Sequence, residues 1–262
     1  FAGIFGFSRS VMVGECADLR LLDGAEAVRV AGQNRATIVG IKVRVGRNAG
    51  GASGIGPLNL AIEAAEELGT PVMVHIDLPP PDIREVLQRL RPGDILTHCF
   101  RPFPNAPILG GVIREEVLLA RERGVIFDVG HGMGSLSFDT ASAMIEQGFL
   151  PDVISSDVHA LSIDGPAYNL LPTLSKFLSL GLPLPDLVAR TTVKPAQAIR
   201  RPELGVLQAG GIGDATILGI EEGRFTYVDS VGRKMTGKQR LVCKGCVLGG
   251  SFMPVTPKDG ER

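Results

Sequence analysis

Short apolar runs recur along the first three-fifths of the chain, and a stretch of helical composition follows each of them. The runs cover residues 38–44, 71–76, 94–100, 125–129 and 153–157, and the stretches between them cover 58–68, 82–90, 112–123 and 138–147, with further helices over 171–200. The first run, 38–44, is mostly β-branched, with polar residues before it and glycines after it, which predicts a short buried strand, and the other runs are read as strands too. Strands alternating with helices at this spacing build parallel β/α units. They are too many and too regular for a small α+β domain. A further strand is expected over 4–8, and residues 15–34 contain helical stretches with Leu19, Leu22, Ala25 and Val28 at three-residue steps. Pro57 suits the first turn of its helix, Gly69 the end of the same helix, and Ser137 an N-cap.

Six strands do not close the usual eight-stranded barrel, which takes about 250 residues. Two architectures fit. One is a (β/α)8 TIM barrel lacking its first strands in this chain, with two β/α units upstream of Phe1. The other is an open doubly wound sheet, which would bind its ligand at a topological switch point. The first is preferred, with the barrel over 1–205. Beyond Arg200 the texture changes to a glycine-punctuated loop over 205–213 and alternating runs over 215–220, 224–228 and 241–247. These predict antiparallel strands of a small β-sandwich domain at the C-terminus, over 206–262, with a polar tail from Pro257 to Arg262.

The 262 residues carry a net charge of -1, so nothing in the charge balance favours nucleic acid or an anionic membrane. No apolar run reaches the roughly 20 residues that span a bilayer, and residues 1–7 lack a basic leader and a cleavage pattern. The four scattered cysteines suit a reduced cytoplasm. The expected partner is a small-molecule substrate, with no nucleic acid and no membrane; a homo-oligomer stays open.

The residues that carry chemistry sit at strand ends. Alternation along 38–44 places Lys42 and Arg44 on one face and Val39, Ile41 and Val43 on the other. A lysine within a buried strand is costly to desolvate, so Lys42 needs a buried carboxylate or a chemical use. The four histidines of the chain all lie at or just beyond strand ends: His75, His98, His131 and His159. In a β/α barrel the C-terminal strand ends form the active face. Lys42, His75, His98 and Asp157 would then converge from four strands. Each alone has an ordinary structural explanation. Together they would need four separate buried partners, whereas a metal supplies one for all.

Lysine on one strand, histidine on the next two and aspartate on the last resembles the amidohydrolase superfamily. The segments carrying the resemblance are Gly40-Ile41-Lys42-Val43-Arg44, Val74-His75, Leu96-Thr97-His98-Cys99-Phe100 and Ser155-Ser156-Asp157-Val158-His159. Thr192-Val193-Lys194-Pro195-Ala196, Leu204-Gly205 and Gly213-Asp214-Ala215 resemble its exit from barrel to sandwich. The wording is most similar to the amidohydrolase/deacetylase, dihydroorotase-like metallohydrolases. The resemblance implies two divalent metal ions, with zinc the default for histidine ligands, and a CO2-derived carbamate on Lys42. It implies Lys42, His75, His98 and Asp157 as metal ligands, with Asp157 also the catalytic general base on a bridging hydroxide. The His-x-His pair that the family carries on its first strand does not occur in this sequence, and is expected upstream of Phe1.

Substrate-binding expectations fall on Arg44, His131, Gly132 and His159. Arg44 would grip a carboxylate or pair with an acid such as Asp77, and Arg101 carries the same ambiguity. The Gly130-His131-Gly132 turn would offer backbone donors and an imidazole to a carbonyl oxygen; His159 would orient Asp157 or touch substrate. The expected reaction is hydrolysis of an amide or ester, deacetylating a small N- or O-acetylated acid. The alternatives are a cyclic-amide hydrolase, or a non-catalytic scaffold if the His-x-His is truly absent. Cys243-Lys244-Gly245-Cys246 stands alone on an alternating strand, so a zinc knuckle or redox pair is the poorer reading. The glycine stretch over 46–56 lacks a phosphate-loop ending.

Overall fold

A computed structural model describes residues 6–8 and 11–255. These fall into two units, one made of the chain up to Asp128 with Ala143–Phe149, the other of Val129–Ser142 with the chain from Leu150 onward.

The first unit opens on a hairpin of β1 (Gly6–Ser8) and β2 (Val11–Val13), which pair antiparallel. The strand expected over 4–8 is therefore not a member of the parallel sheet, and its residues 4 and 5 lie outside the described residues. Helix α1 (Gly24–Gln33) is capped by the Asp23 carboxylate, which accepts from the Glu26 N–H. Then come β3 (Ile41–Val45), the short helix α2 (Arg47–Gly50), α3 (Gly56–Leu68), β4 (Val72–Ile76), α4 (Ile83–Arg89) and β5 (Ile95–Thr97). Pro57 lies in the first turn of α3, and Gly69 ends it in the left-handed region at φ 66°. Residues 108–113 form a small antiparallel hairpin, β6 (Ile108–Leu109) with β7 (Val112–Ile113), so the helix expected over 112–123 begins later, as α5 (Glu115–Glu122). Strand β8 (Ile126–Asp128) completes a parallel sheet of order β3-β4-β5-β8.

The sheet's core is aliphatic: Val43, Val45, Val72, Val74, Ile76 and Leu96 are fully buried. Asp94 pins its entry edge. Its buried carboxylate accepts from the Val72 N–H at 2.8 Å and from the Arg91 N–H at 2.8 Å, and pairs with the Arg91 guanidinium. A buried carboxylate is tolerated only when its lone pairs are met in this way.

Helix α6 (Phe138–Glu146) links the two units. At its start the Ser137 hydroxyl accepts from the Thr140 N–H at 3.4 Å, and the Phe138 N–H donates to Asp229 at 2.9 Å. The predicted strand over 153–157 is a single bridge at Val153 followed by irregular chain. The helical region over 171–200 resolves into α7 (Leu170–Ser179), α8 (Leu184–Ala189) and α9 (Val193–Ala198). The expected strands over 215–220 and 224–228 are one long strand, β9 (Ala215–Val228). It pairs antiparallel with β10 (Lys234–Leu248), which pairs with β11 (Ser251–Pro254). Helix α7 packs on β10. The polar tail lies outside the described residues. The chain is thus α/β, with a parallel sheet and a C-terminal antiparallel sheet. Among the described residues no helix is long and apolar enough to cross a membrane.

Candidate active site

In the first unit, the register pairs Lys42 with Met73 and Arg44 with His75. Strand β3 buries Ile41, Val43 and Val45, leaving Lys42 exposed and Arg44 half-buried. Alternation is therefore as expected, but the lysine is not desolvated. Among the described residues only the opposite face of its strand is well covered. The cost of a buried ammonium is accordingly not the reason for this lysine.

His75 and His98 are brought together. His98 Nε2 lies 2.6 Å from His75 Nδ1, with the rings edge to face at 86° and 4.4 Å between centroids. His98 directly follows β5 but has φ 70°, so the chain leaves the strand at this residue. Its side chain is 2% exposed. One proton serves that contact, so the two rings cannot both be cations. Burial holds His75 well below the usual imidazole range, and the charges of His98, Arg44, Lys42 and Arg101 add to the effect. A neutral imidazole is the form that binds metal. His75 Nε2 is buried without a hydrogen-bond partner among the described residues. An orphaned buried ring nitrogen is costly, and this one fits a metal ligand. Among the described residues no three His, Cys, Asp or Glu side chains are grouped as a metal cage, so the fit extends to the histidine pair.

Arg44 has an acid partner, but it is Glu15 rather than Asp77. Arg44 Nε lies 2.9 Å from Glu15 Oε1, and Glu15 is 4% exposed. Burial raises the Glu15 carboxyl while Arg44 opposes the rise. Asp77 instead acts on Arg101 through its charge: burial lowers Arg101 to about 10, against the pull of Asp77. Glu15 was not singled out in the sequence, because nothing in its local pattern points to Arg44, 29 residues further along the chain.

The second unit holds the other candidates. The Val129, His131 and Gly132 N–H groups donate to the Val153, Ser155 and Ser156 carbonyls at 3.1, 3.2 and 2.9 Å. The Gly130–Gly132 turn therefore runs beside 153–157. Gly132 has φ +52°, and a Cβ there would lie 2.5 Å from Asp157 Oδ2. Only glycine lets the Asp157 carboxylate rest against that backbone. Asp157 is exposed and has φ 46°, so alternation does not carry from Ser155 through to His159. His159 is exposed, its Nδ1 accepting from the Leu161 N–H at 3.2 Å.

His131 is fully buried, and both ring nitrogens are engaged. Nε2 lies 2.6 Å from Lys176 Nζ, and Nδ1 lies 2.9 Å from the Gly132 carbonyl. Lys176 also donates to the Pro166 carbonyl at 2.7 Å. Burial lowers Lys176 to about 7. Burial, then Lys176, lowers His131 to about 4. The neutral ring accepts at Nε2 and donates from Nδ1. The backbone donors expected of the turn are likewise engaged at His131 and Gly132, so the turn offers shape and a carbonyl-ordered imidazole. The sequence signal for Lys176 was its place on the apolar face of α7, between Leu174 and Phe177, both buried.

This lysine sets a pH dependence. A free lysine titrates near 10.4, whereas Lys176 titrates at about 7. Between those values the unfolded chain binds the extra proton, so stability rises with pH across the window and the loss is constant below it. His131, lowered to about 4 from its ordinary value of 6.5, acts in a separate, lower window. Urea midpoints measured at about pH 7 and pH 9 should rise less with pH in Lys176→Met than in the unaltered protein. Equal rises would show that Lys176 titrates normally.

No family model matches the chain. It is 35% identical over 234 residues to a deacetylase of Brucella anthropi, covering 88% of this chain and 58% of that protein. The chain spans 58% to 66% of the length of the curated relatives it matches. Among solved structures, an adenine deaminase superposes with a TM-score of 0.89 at 31% identity, over 92% of this chain and 67% of that one. A dihydroorotase superposes with a TM-score of 0.83 at 32% identity, over 92% and 66%.

Proposed function

The chain belongs to the amidohydrolase superfamily, and from that premise we propose that it is a metal-dependent hydrolase that deacetylates a small N- or O-acetylated acid. The observation that carries the metal reading is the His75–His98 pair, with its neutral ring and orphaned buried Nε2. The deacetylase reading is supported by curated relatives that bear that name. The parallel order β3-β4-β5-β8 and the superposed structures support placing the sheet in a (β/α)8 barrel.

In this proposal Lys42, as a carbamate, His75, His98 and Asp157 would hold two divalent ions, zinc by default. Such ions would supply an acidified water and a polarised carbonyl. The remaining work falls to side chains. Neutral His75 presents a lone pair without first losing a proton, and His98 lies against it. Asp157 takes the proton of the attacking water and passes it to the leaving group. The residue is exposed, and Gly132 leaves no Cβ in the way of its carboxylate. Arg44 binds the substrate carboxylate, with Glu15 holding the guanidinium in place. His131, Gly132 and His159 wall the pocket.

A panel of N- and O-acetylated acids set against cyclic amides tests the reading. Acetate release from an acetylated acid, with cyclic amides untouched, is expected. Ring opening alone would favour the dihydroorotase-like alternative, which the similarity to a dihydroorotase structure supports. Turnover of neither class would leave a non-catalytic scaffold.

A further inference from the structure

Cys243 and Cys246 are three residues apart on β10. On a regular strand, residues three apart point to opposite faces. Here the register breaks: Cys243 pairs with Leu218, Gly245 with Ile217 and Cys246 with Thr216, so Lys244 is an extra residue in the ladder. A β-bulge of this kind restores the two cysteines to one face. Their sulfurs lie 3.8 Å apart, both side chains are half-buried, and both thiols are free. The bulge is held in place by packing. A Cβ on Gly245 would lie 2.5 Å from the Phe252 ring on β11, so Gly245 lets Phe252 lie across the bulged backbone.

We propose that Cys243 and Cys246 form a redox-convertible thiol pair, a modification site that a small-molecule disulfide such as oxidised glutathione closes into an intrachain bridge. The step balances by thiol–disulfide exchange. One protein thiolate attacks a glutathione sulfur, the glutathione S–S bond breaks, and a mixed disulfide forms as one glutathione thiolate leaves. The second protein thiolate attacks the protein sulfur of that mixed disulfide and expels the other glutathione. Two protein thiols are oxidised, one glutathione disulfide is reduced to two thiols, and the two protein protons end on the glutathiones. Burial raises the Cys243 thiol, which slows its attack; the bridge is therefore read at equilibrium. Cys243 also lines a cavity of about 400 Å³ between α7 and the β9–β10 pair, shared with Arg224, Tyr227 and Arg240. That cavity gives a small disulfide a route to the sulfur. The other two cysteines, Cys16 and Cys99, are buried.

The full-length protein is equilibrated with oxidised glutathione in the native state, alkylated and digested with trypsin. Trypsin cuts after Lys244, so Cys243 and Cys246 fall on different peptides that stay joined only by a bridge. The expected result is the joined peptide pair, a loss of about 2 Da from the chain, no retained glutathione, and Cys16 and Cys99 still alkylated. In Cys246→Ser the same treatment should leave glutathione on Cys243, since nothing remains to expel it. The proposal is overturned if both cysteines are still alkylated at the highest oxidant level. It is equally overturned if the unaltered protein keeps glutathione on either of them, or if the bridge joins Cys16 or Cys99.

Discussion

Replacing His98 by asparagine is expected to abolish most hydrolysis, by at least about 100-fold. That figure is the upper end of what losing a mere supporting partner of a metal ligand costs, and His98 is proposed as a ligand itself. Asparagine is the informative substitution because His98 sits at φ 70°. Asparagine tolerates the left-handed region better than most side chains, so the turn after β5 should survive. The variant keeps the fold, removes a ring nitrogen 2.6 Å from His75, and leaves His75 Nδ1 without that contact. Steady-state acetate release, measured beside a thermal melt, separates chemistry from unfolding. An unaltered melt with activity within a few-fold of the unaltered protein would remove His98 from the ligand set.

Asp157→Asn should lower kcat by about 10²–10⁴, the usual range for a lost general base. The residue is exposed, and asparagine is isosteric and accepts its φ of 46°, so stability should hardly move. Gly132→Ala supplies an independent check on the same carboxylate. Its Cβ would press within 2.5 Å of Asp157 Oδ2, and alanine at φ +52° costs about 1–2 kcal/mol besides. Activity should fall in the same direction as in Asp157→Asn, with Asp157 still present but displaced. Full activity in Gly132→Ala would mean that the position of the carboxylate does not matter, which a proton-transfer role does not permit.

The strands of the parallel sheet were legible because their burial is written in β-branched residues. The runs around Val43, Val74 and Leu96 are buried where they were expected. Helix α3 was legible from Pro57 and Gly69, whose backbone preferences fix its two ends. Periodicity is blind to conformation at single residues, so it carried the strands past His98 and toward Asp157, where the backbone turns left-handed. It is equally blind to pairs of polar groups distant in sequence. Glu15 meets Arg44 and Lys176 meets His131 only because the fold brings them together. The exposure of Lys42 shows a third limit: alternation assigns a face, but whether that face is covered depends on what else packs there. At Cys243 and Cys246 the sequence shows an alternating strand, and the one extra residue that interrupts its ladder is visible only in the fold.

Metal content per chain, measured on the full-length protein after equilibration with zinc and bicarbonate, tests the account most directly. Two metal ions per chain are predicted, with the count reduced in His98→Asn. A folded protein that retains no metal under those conditions would contradict the proposal, and the His75–His98 pair would then be a buried hydrogen bond and nothing more.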